Sequence, residues 1–166
     1  MKKLNITVIT ISDSRTAKTD KSGDILINLI KKSGHAVKKK VIVPDNIYEI
    51  RSSVSNFILD KNIDVIITNG GTGITGRDGT PEAIMPLLDK EIDGFGELFR
   101  SLSYEKIKTS SLQSRSLAGV ANSTFIFVLP GSPDACITAW EEIIQHQLNS
   151  DTKPCNLVML IPRLKE

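Results

Sequence analysis

Residues 64–68 read Asp-Val-Ile-Ile-Thr and run without a break into Asn69-Gly70-Gly71-Thr72-Gly73. An apolar run this short predicts a strand buried on both faces of a parallel sheet. Glycines placed directly after it predict backbone that turns at positive φ or approaches a neighbour closely. A chain with this feature needs helices on both sides of a sheet, and the rest of the sequence supplies them.

Residues 4–11 are apolar and β-branched up to Ser12-Asp13-Ser14, which predicts a buried strand. Over 22–33, Ile25, Leu26, Leu29 and Ile30 recur at helical spacing, and Gly34 ends the helix. A second strand is expected over 37–43, stopped by Pro44. Ile47, Ile50, Val54, Phe57 and Ile58 repeat in steps of three and four and predict an amphipathic helix. Further helices are expected over 81–88, with Pro81 in the first turn, over 95–104 and over about 134–148, with a strand at 124–129. The tail 155–161 reads as one more strand or a docked segment. Alternating strands and helices give the fold class: α/β, a three-layer α/β/α arrangement whose mostly parallel sheet carries helices on both faces. No linker, repeat or low-complexity tract divides the 166 residues, so one domain is expected over 1–166.

Composition narrows the function classes. Hydrophobic residues at 40% and charged residues at 24% exclude a disordered or fibrous chain. Lys and Arg total 21 against 19 acids, a net charge of +2, and aromatics are 5%, so neither a nucleic-acid footprint nor a base-stacking platform is expected. No stretch reaches the roughly 20 apolar residues of a membrane span. The basic start is interrupted by Asn5, Thr7 and Thr10, which suits a strand better than a signal segment. A cytoplasmic protein is expected, with Cys136 and Cys155 as reduced structural thiols. Lys38-Lys39-Lys40 reads as a solvated charge run.

In parallel sheets, ligands gather outside the carboxyl ends of the strands. Here those ends run into Ser12-Asp13-Ser14, Pro44-Asp45, the 69–73 loop and Pro130-Gly131-Ser132-Pro133. Successive N–H groups around Gly70, Gly71 and Gly73 suit an anion nest, with the Thr72 hydroxyl as a further donor. The plain alternative is a tight turn, because neither the P-loop pattern nor the dinucleotide fingerprint is present. Thr75 through Ala83 then leads into a helix, with Thr80 expected as its N-cap and Glu82 in its first turn. Asp78 beside a phosphate nest suits a magnesium-nucleotide site, since magnesium takes one or two carboxylates plus phosphate oxygens. Asp45 is a second carboxylate for it, or a helix cap beside Asn46. His35 and His146 lack ligand spacing, and no nucleophile elbow occurs. Arg77, Arg100 and Arg115 each read, singly, as ion-pair or surface residues that could also meet an anionic group.

Taken in series, Thr10-Ile11-Ser12-Asp13, Gly70-Gly71-Thr72-Gly73, Arg77-Asp78-Gly79-Thr80-Pro81-Glu82-Ala83, Gly94-Phe95-Gly96-Glu97 and Leu129-Pro130-Gly131-Ser132-Pro133 resemble the MoaB/MogA family of molybdenum-cofactor biosynthesis proteins, the molybdopterin adenylyltransferases. The likeness runs from about residue 4 to residue 160, and residues 111–115, 118–122 and 154–156 point to the MoaB branch.

The resemblance implies a molybdopterin-binding domain that forms a trimer or a dimer of trimers. It implies Mg-ATP-dependent adenylylation of molybdopterin with release of pyrophosphate. By the same resemblance Asp78 and Asp45 are the catalytic acids and carry Mg2+, and Gly70, Gly71, Thr72 and Gly73 cradle phosphate. Ser12 and Asp13 lie at the pocket mouth, Glu82 in the metal or pterin environment, and Gly131 and Ser132 on the pterin side, with Ser103 and Ser114 near them. Some MoaB-type members lack an acid at the position of Asp45, whereas this chain has both acids. The alternative is a non-catalytic molybdopterin binder or inactive paralogue. The metal-insertion enzyme of the same pathway is the partner the resemblance suggests.

Overall fold

The computed structural model describes residues 2–164; residues 1, 165 and 166 of the expected 1–166 unit lie outside them. One six-stranded sheet has the order β2-β1-β3-β6-β5-β4. Strands β1 (Asn5–Ile11), β2 (Ala36–Val43), β3 (Val65–Asn69) and β6 (Thr124–Leu129) are parallel. Strands β5 (Leu117–Ala121) and β4 (Lys90–Glu91) add an antiparallel edge.

Strand alternation divides the core in two. Ile6, Val8, Val65, Ile67, Phe125 and Phe127 point to the face covered by α1 (Lys21–Lys32), α4 (Asp93–Ile107) and α5 (Pro133–Ala139). Ile9, Ile11, Ile66, Ile126 and Val128 point to the other, covered by α2 (Ile47–Leu59) and α3 (Thr80–Ile84). This is the expected three-layer α/β arrangement. Among the described residues no helix is long and apolar enough to cross a membrane.

Several boundaries differ from the sequence reading. The helix expected over 81–88 is only α3 followed by a 3-10 turn at Met85–Leu87, where Pro86 has no N–H to continue the ladder. The helix over 134–148 is α5, a π-turn at Trp140–Ile144 and α6 (Gln145–Gln147). The tail is a docked 3-10 segment, Leu157–Arg163, tied down by Val158 and capped by Asn156, and not a strand. Strand β5 escaped the reading because Leu-Ala-Gly-Val-Ala has little intrinsic strand preference. Its turn into β6 is Asn122-Ser123, both at positive φ, as a two-residue hairpin loop requires. Gly119 lets β4 close on it, since a Cβ there would stand 2.6 Å from the Lys90 carbonyl oxygen.

Asp20 joins α1 to the sheet. Its carboxylate caps the helix at the Gly23 N–H (2.9 Å), accepts from the Thr10 hydroxyl (2.8 Å) and pairs with Lys40 (2.9 Å). Lys40 also reaches Asp24, so the third lysine of the charge run is half-buried and paired, contrary to the solvated reading. Burial works against the Asp20 charge, but Lys40, the Gly23 N–H and Thr10 together hold its carboxyl below the ordinary range. A lowered folded pKa means that the stabilisation is full above the unfolded value of about 4 and is lost as pH falls below it. Asp20→Ala is expected to lower unfolding free energy at pH 7 by about 2–4 kcal/mol through the lost cap and charged hydrogen bonds. Denaturation at pH 7 and pH 3 checks both points: the gap between wild type and variant narrows at pH 3.

Candidate functional site

Three strand ends meet at Gly70. Its N–H continues the β3–β6 ladder to the Leu129 carbonyl (3.0 Å). Its φ is +105°, and a Cβ there would collide with the Ile11 carbonyl oxygen of β1. A Cβ on Gly131 would lie 3.2 Å from the Gly70 Cα. Gly71 also turns at positive φ, +64°. The loop is then folded back on α3: the Thr80 N–H donates to the Gly71 carbonyl and the Thr80 hydroxyl to the Gly70 carbonyl, each at 3.0 Å. Thr80 is therefore a loop anchor and not the N-cap, which is Gly79. Among the described residues no hydrogen bond uses the N–H groups of Gly71 and Thr72.

Two carboxylates close on this loop. A Cβ on Gly73 would stand 2.6 Å from Asp78 Oδ2, and one on Gly71 would stand 2.9 Å from Asp45 Oδ2. Asp78 is shaped by Thr75, whose hydroxyl (2.5 Å) and N–H (2.9 Å) both donate to Oδ2. That hydrogen bonding leads the causes holding its carboxyl below the ordinary range. Asp45 moves the other way: burial comes first and the charges of Asp78 and Asp13 add to it, so its pKa is raised. Asn46 caps α2 through the Tyr48 and Glu49 N–H groups. Asp45 is thereby left out of capping, and its Oδ1 faces the Gly79 N–H at 3.4 Å.

The cleft before the loop has a volume of about 340 Å³ and is lined by Gly70, Gly71, Thr72, Gly73 and Asp78 together with Ser103, Ser114, Gly131 and Ser132. Ser103, Ser132 and Ala135 are shared with a neighbouring hollow of about 360 Å³ that holds Lys106 and Asp134. The other expected residues stand apart. Ser12 lines a separate small cleft of about 120 Å³ with Asp20, Asn69 and Gly131. Asp13 is occupied as a strut, accepting from Arg77 (2.6 Å) and from the Asp45 N–H (3.0 Å). Glu82 pairs with Arg115 outside the cleft.

Asp45 and Asp78 are the carboxylates here that could hold a divalent ion. Asp45 lies against Gly71 and Asp78 against Gly73, two residues on; of the two only Asp78 lines the cleft, and among the described residues no group of three or more acids, histidines and cysteines is gathered to complete a cage. That donor set leaves the remaining positions for phosphate oxygens and water, the usual condition of magnesium. His35 is not part of it; it is buried against Trp140 and its Nδ1 accepts from the Leu4 N–H (3.3 Å). Burial pushes the Cys136 thiol up to about 12, which makes it inert, whereas Cys155 is exposed and does not pack as expected.

Arg115 is an ion-pair residue, as one of its sequence readings had it, but its contacts with the loop were not read. Its guanidinium donates to the carbonyls of Gly73 and Asp78, both at 2.8 Å, and to Glu82. A lone arginine 42 residues from its loop partner gives no local signal. Asp20 was equally silent, although an acid three residues before Gly23 at a helix start is a capping pattern.

Comparison with known proteins identifies the family. The family described as "Probable molybdopterin binding domain" matches residues 7–150. The chain is 50% identical over 151 residues to molybdenum cofactor biosynthesis protein B of Escherichia coli (strain K12), covering 91% of this chain and 89% of that one. A crystal structure of a molybdenum cofactor biosynthesis protein B superposes with a TM-score of 0.86 at 44% identity, covering 89% of this chain and 92% of the other. The tungsten cofactor synthesizing protein MoaB from Pyrococcus furiosus superposes at 0.82 with 33% identity, covering 100% and 99%. On the fold, the glycine loop with its two carboxylates and these likenesses together, the chain belongs to the molybdopterin-binding-domain family of molybdenum cofactor biosynthesis proteins.

Proposed function

We propose that this cleft transfers the adenylyl group of Mg-ATP to molybdopterin. The terminal phosphate oxygen of molybdopterin attacks the α-phosphorus of ATP, the bond to the β-phosphate oxygen breaks, and pyrophosphate leaves. Both substrates are anions and both reacting groups are phosphates, so the protein's work is positioning and charge stabilisation. The observation that carries this reading is the convergence of Asp45 and Asp78 on Gly71 and Gly73.

The N–H groups of Gly71 and Thr72 are donors for phosphate oxygens, in a loop held open by Thr80. Asp45 and Asp78 would hold magnesium with the nucleotide phosphates, and the ion would offset their negative charge. Ser132, Gly131, Ser103 and Ser114 line the same cleft and would receive the pterin. Adenylyl transfer to a phosphate leaves the dithiolene untouched, so relatives named for molybdenum and for tungsten are both compatible with it. The same reading carries a homotrimer or paired trimers, for which exposed Tyr104 and Leu112 along one groove offer apolar surface, and delivery of product to the metal-insertion enzyme.

Purified protein given molybdopterin and Mg-ATP is expected to yield adenylylated molybdopterin on chromatography. Asp78→Asn should lower kcat about 100-fold or more with folding unchanged, because the residue sits on a loop and acts on transition-state charge; a variant as fast as wild type would remove Asp78 from the mechanism. Gly71→Val places a branched side chain at positive φ against Thr80 and Asp45. Calorimetric titration with Mg-ATP should show affinity reduced about tenfold or more, and unchanged affinity would dispose of the phosphate cradle.

A further inference from the structure

We infer that Arg115 is a positioning residue that fixes Asp45 and Asp78 relative to one another, by clamping both ends of the loop from Gly73 to Asp78 from its outer side. The inference rests on the adenylyl-transfer reading for its kinetic consequence, and on geometry alone for its structural one.

Arg115 stands between the 3-10 turn Lys108–Gln113 and β5, behind the loop. Its Nε donates to the Gly73 carbonyl and its Nη2 to the Asp78 carbonyl, each at 2.8 Å. One rigid fork thus spans the residues that enclose Ile74, Thr75, Gly76 and Arg77. Glu82, in the first turn of α3, takes the remaining Nη1 and keeps the fork from rotating. The planar guanidinium can serve all three acceptors at once; an ammonium cannot serve them in that geometry.

The consequence follows from the trans peptide, in which a carbonyl and the next N–H point in opposite directions. Drawing the Asp78 carbonyl to Arg115 turns the Gly79 N–H away from it, and that N–H faces Asp45 Oδ1 at 3.4 Å. The same hold keeps Asp78 within reach of Thr75, whose N–H and hydroxyl fix the carboxylate over Gly73. Loop segments carrying few apolar contacts open readily, and Ile74, at 70% exposed, provides none of the burial that would otherwise hold this one. Arg115 supplies the constraint that packing does not.

Arg115→Met and Arg115→Lys test this in the full-length protein. In Arg115→Met, kcat for adenylyl transfer should fall about 100-fold while the KM values for ATP and molybdopterin stay within about threefold, the signature of lost orientation and not of lost binding. Arg115→Lys should recover less than a tenth of the lost rate. In the absence of substrates, amide hydrogen exchange at Thr75 and Asp78 should quicken about tenfold in both variants, with the β5 amides unchanged. Full rescue by lysine, a rise in KM with kcat retained, or unaltered exchange in the loop would each overturn the assignment. A wild-type protein that makes no product would remove the catalytic reading, and the exchange measurement would still decide the clamp.

Discussion

The site depends on backbone meeting backbone at the end of the sheet. The carboxyl ends of β1, β3 and β6 come together where Gly70 lies against the Ile11 carbonyl on one side and Gly131 on the other. No side chain fits between them, so the loop leaves the sheet at one angle only. Everything downstream takes its position from that departure: the turn at Gly71, the return to Thr80, and the approach of Asp45 to Gly71 and of Asp78 to Gly73. The flat layers of apolar residues on either face make the platform rigid enough for this contact to matter.

The two carboxylates are chemically alike and environmentally different. Asp78 is drawn down by the hydroxyl and N–H of Thr75, while Asp45 is pushed up by burial and by neighbouring negative charge. The charge of Asp78 is one of the causes that raise Asp45, and a cation bound there would relieve it. Asp13 adds to that negative charge, but its two oxygens are occupied by Arg77 and by the Asp45 N–H. Asp45 and Asp78 are left as the carboxylates against the glycine loop.

Much of this was legible because it is written locally. The parallel strands, the α1 and α2 stripes and the glycine loop each follow from periodicity or from residues with special backbone freedom, and Asp78 follows from its place in a loop at a helix start. What was not legible depends on partners distant in sequence. Nothing near Lys40 announces Asp20, and nothing near Arg115 announces Gly73. Strand β5 is held by its neighbours and by the tight approach at Gly119, against the preference of its own residues. Ser12 illustrates the reverse error. Sequence order puts it at a strand end, yet its hydroxyl accepts from the Ser14 and Arg15 N–H groups and the residue lines a small neighbouring cleft.

The two borders of the sheet have a bearing on how copies of the chain can meet. One border is β2, studded with Lys38, Lys39 and Lys40; the other is β4, two exposed residues long, Lys90 and Glu91. Unpaired strand edges invite other chains to add strands, and positive charge and brevity are the usual deterrents. Both edges here carry one of them. Strand addition at either border is thus disfavoured, which leaves the hydrogen-bonded ladder, and the cleft at its end, undisturbed.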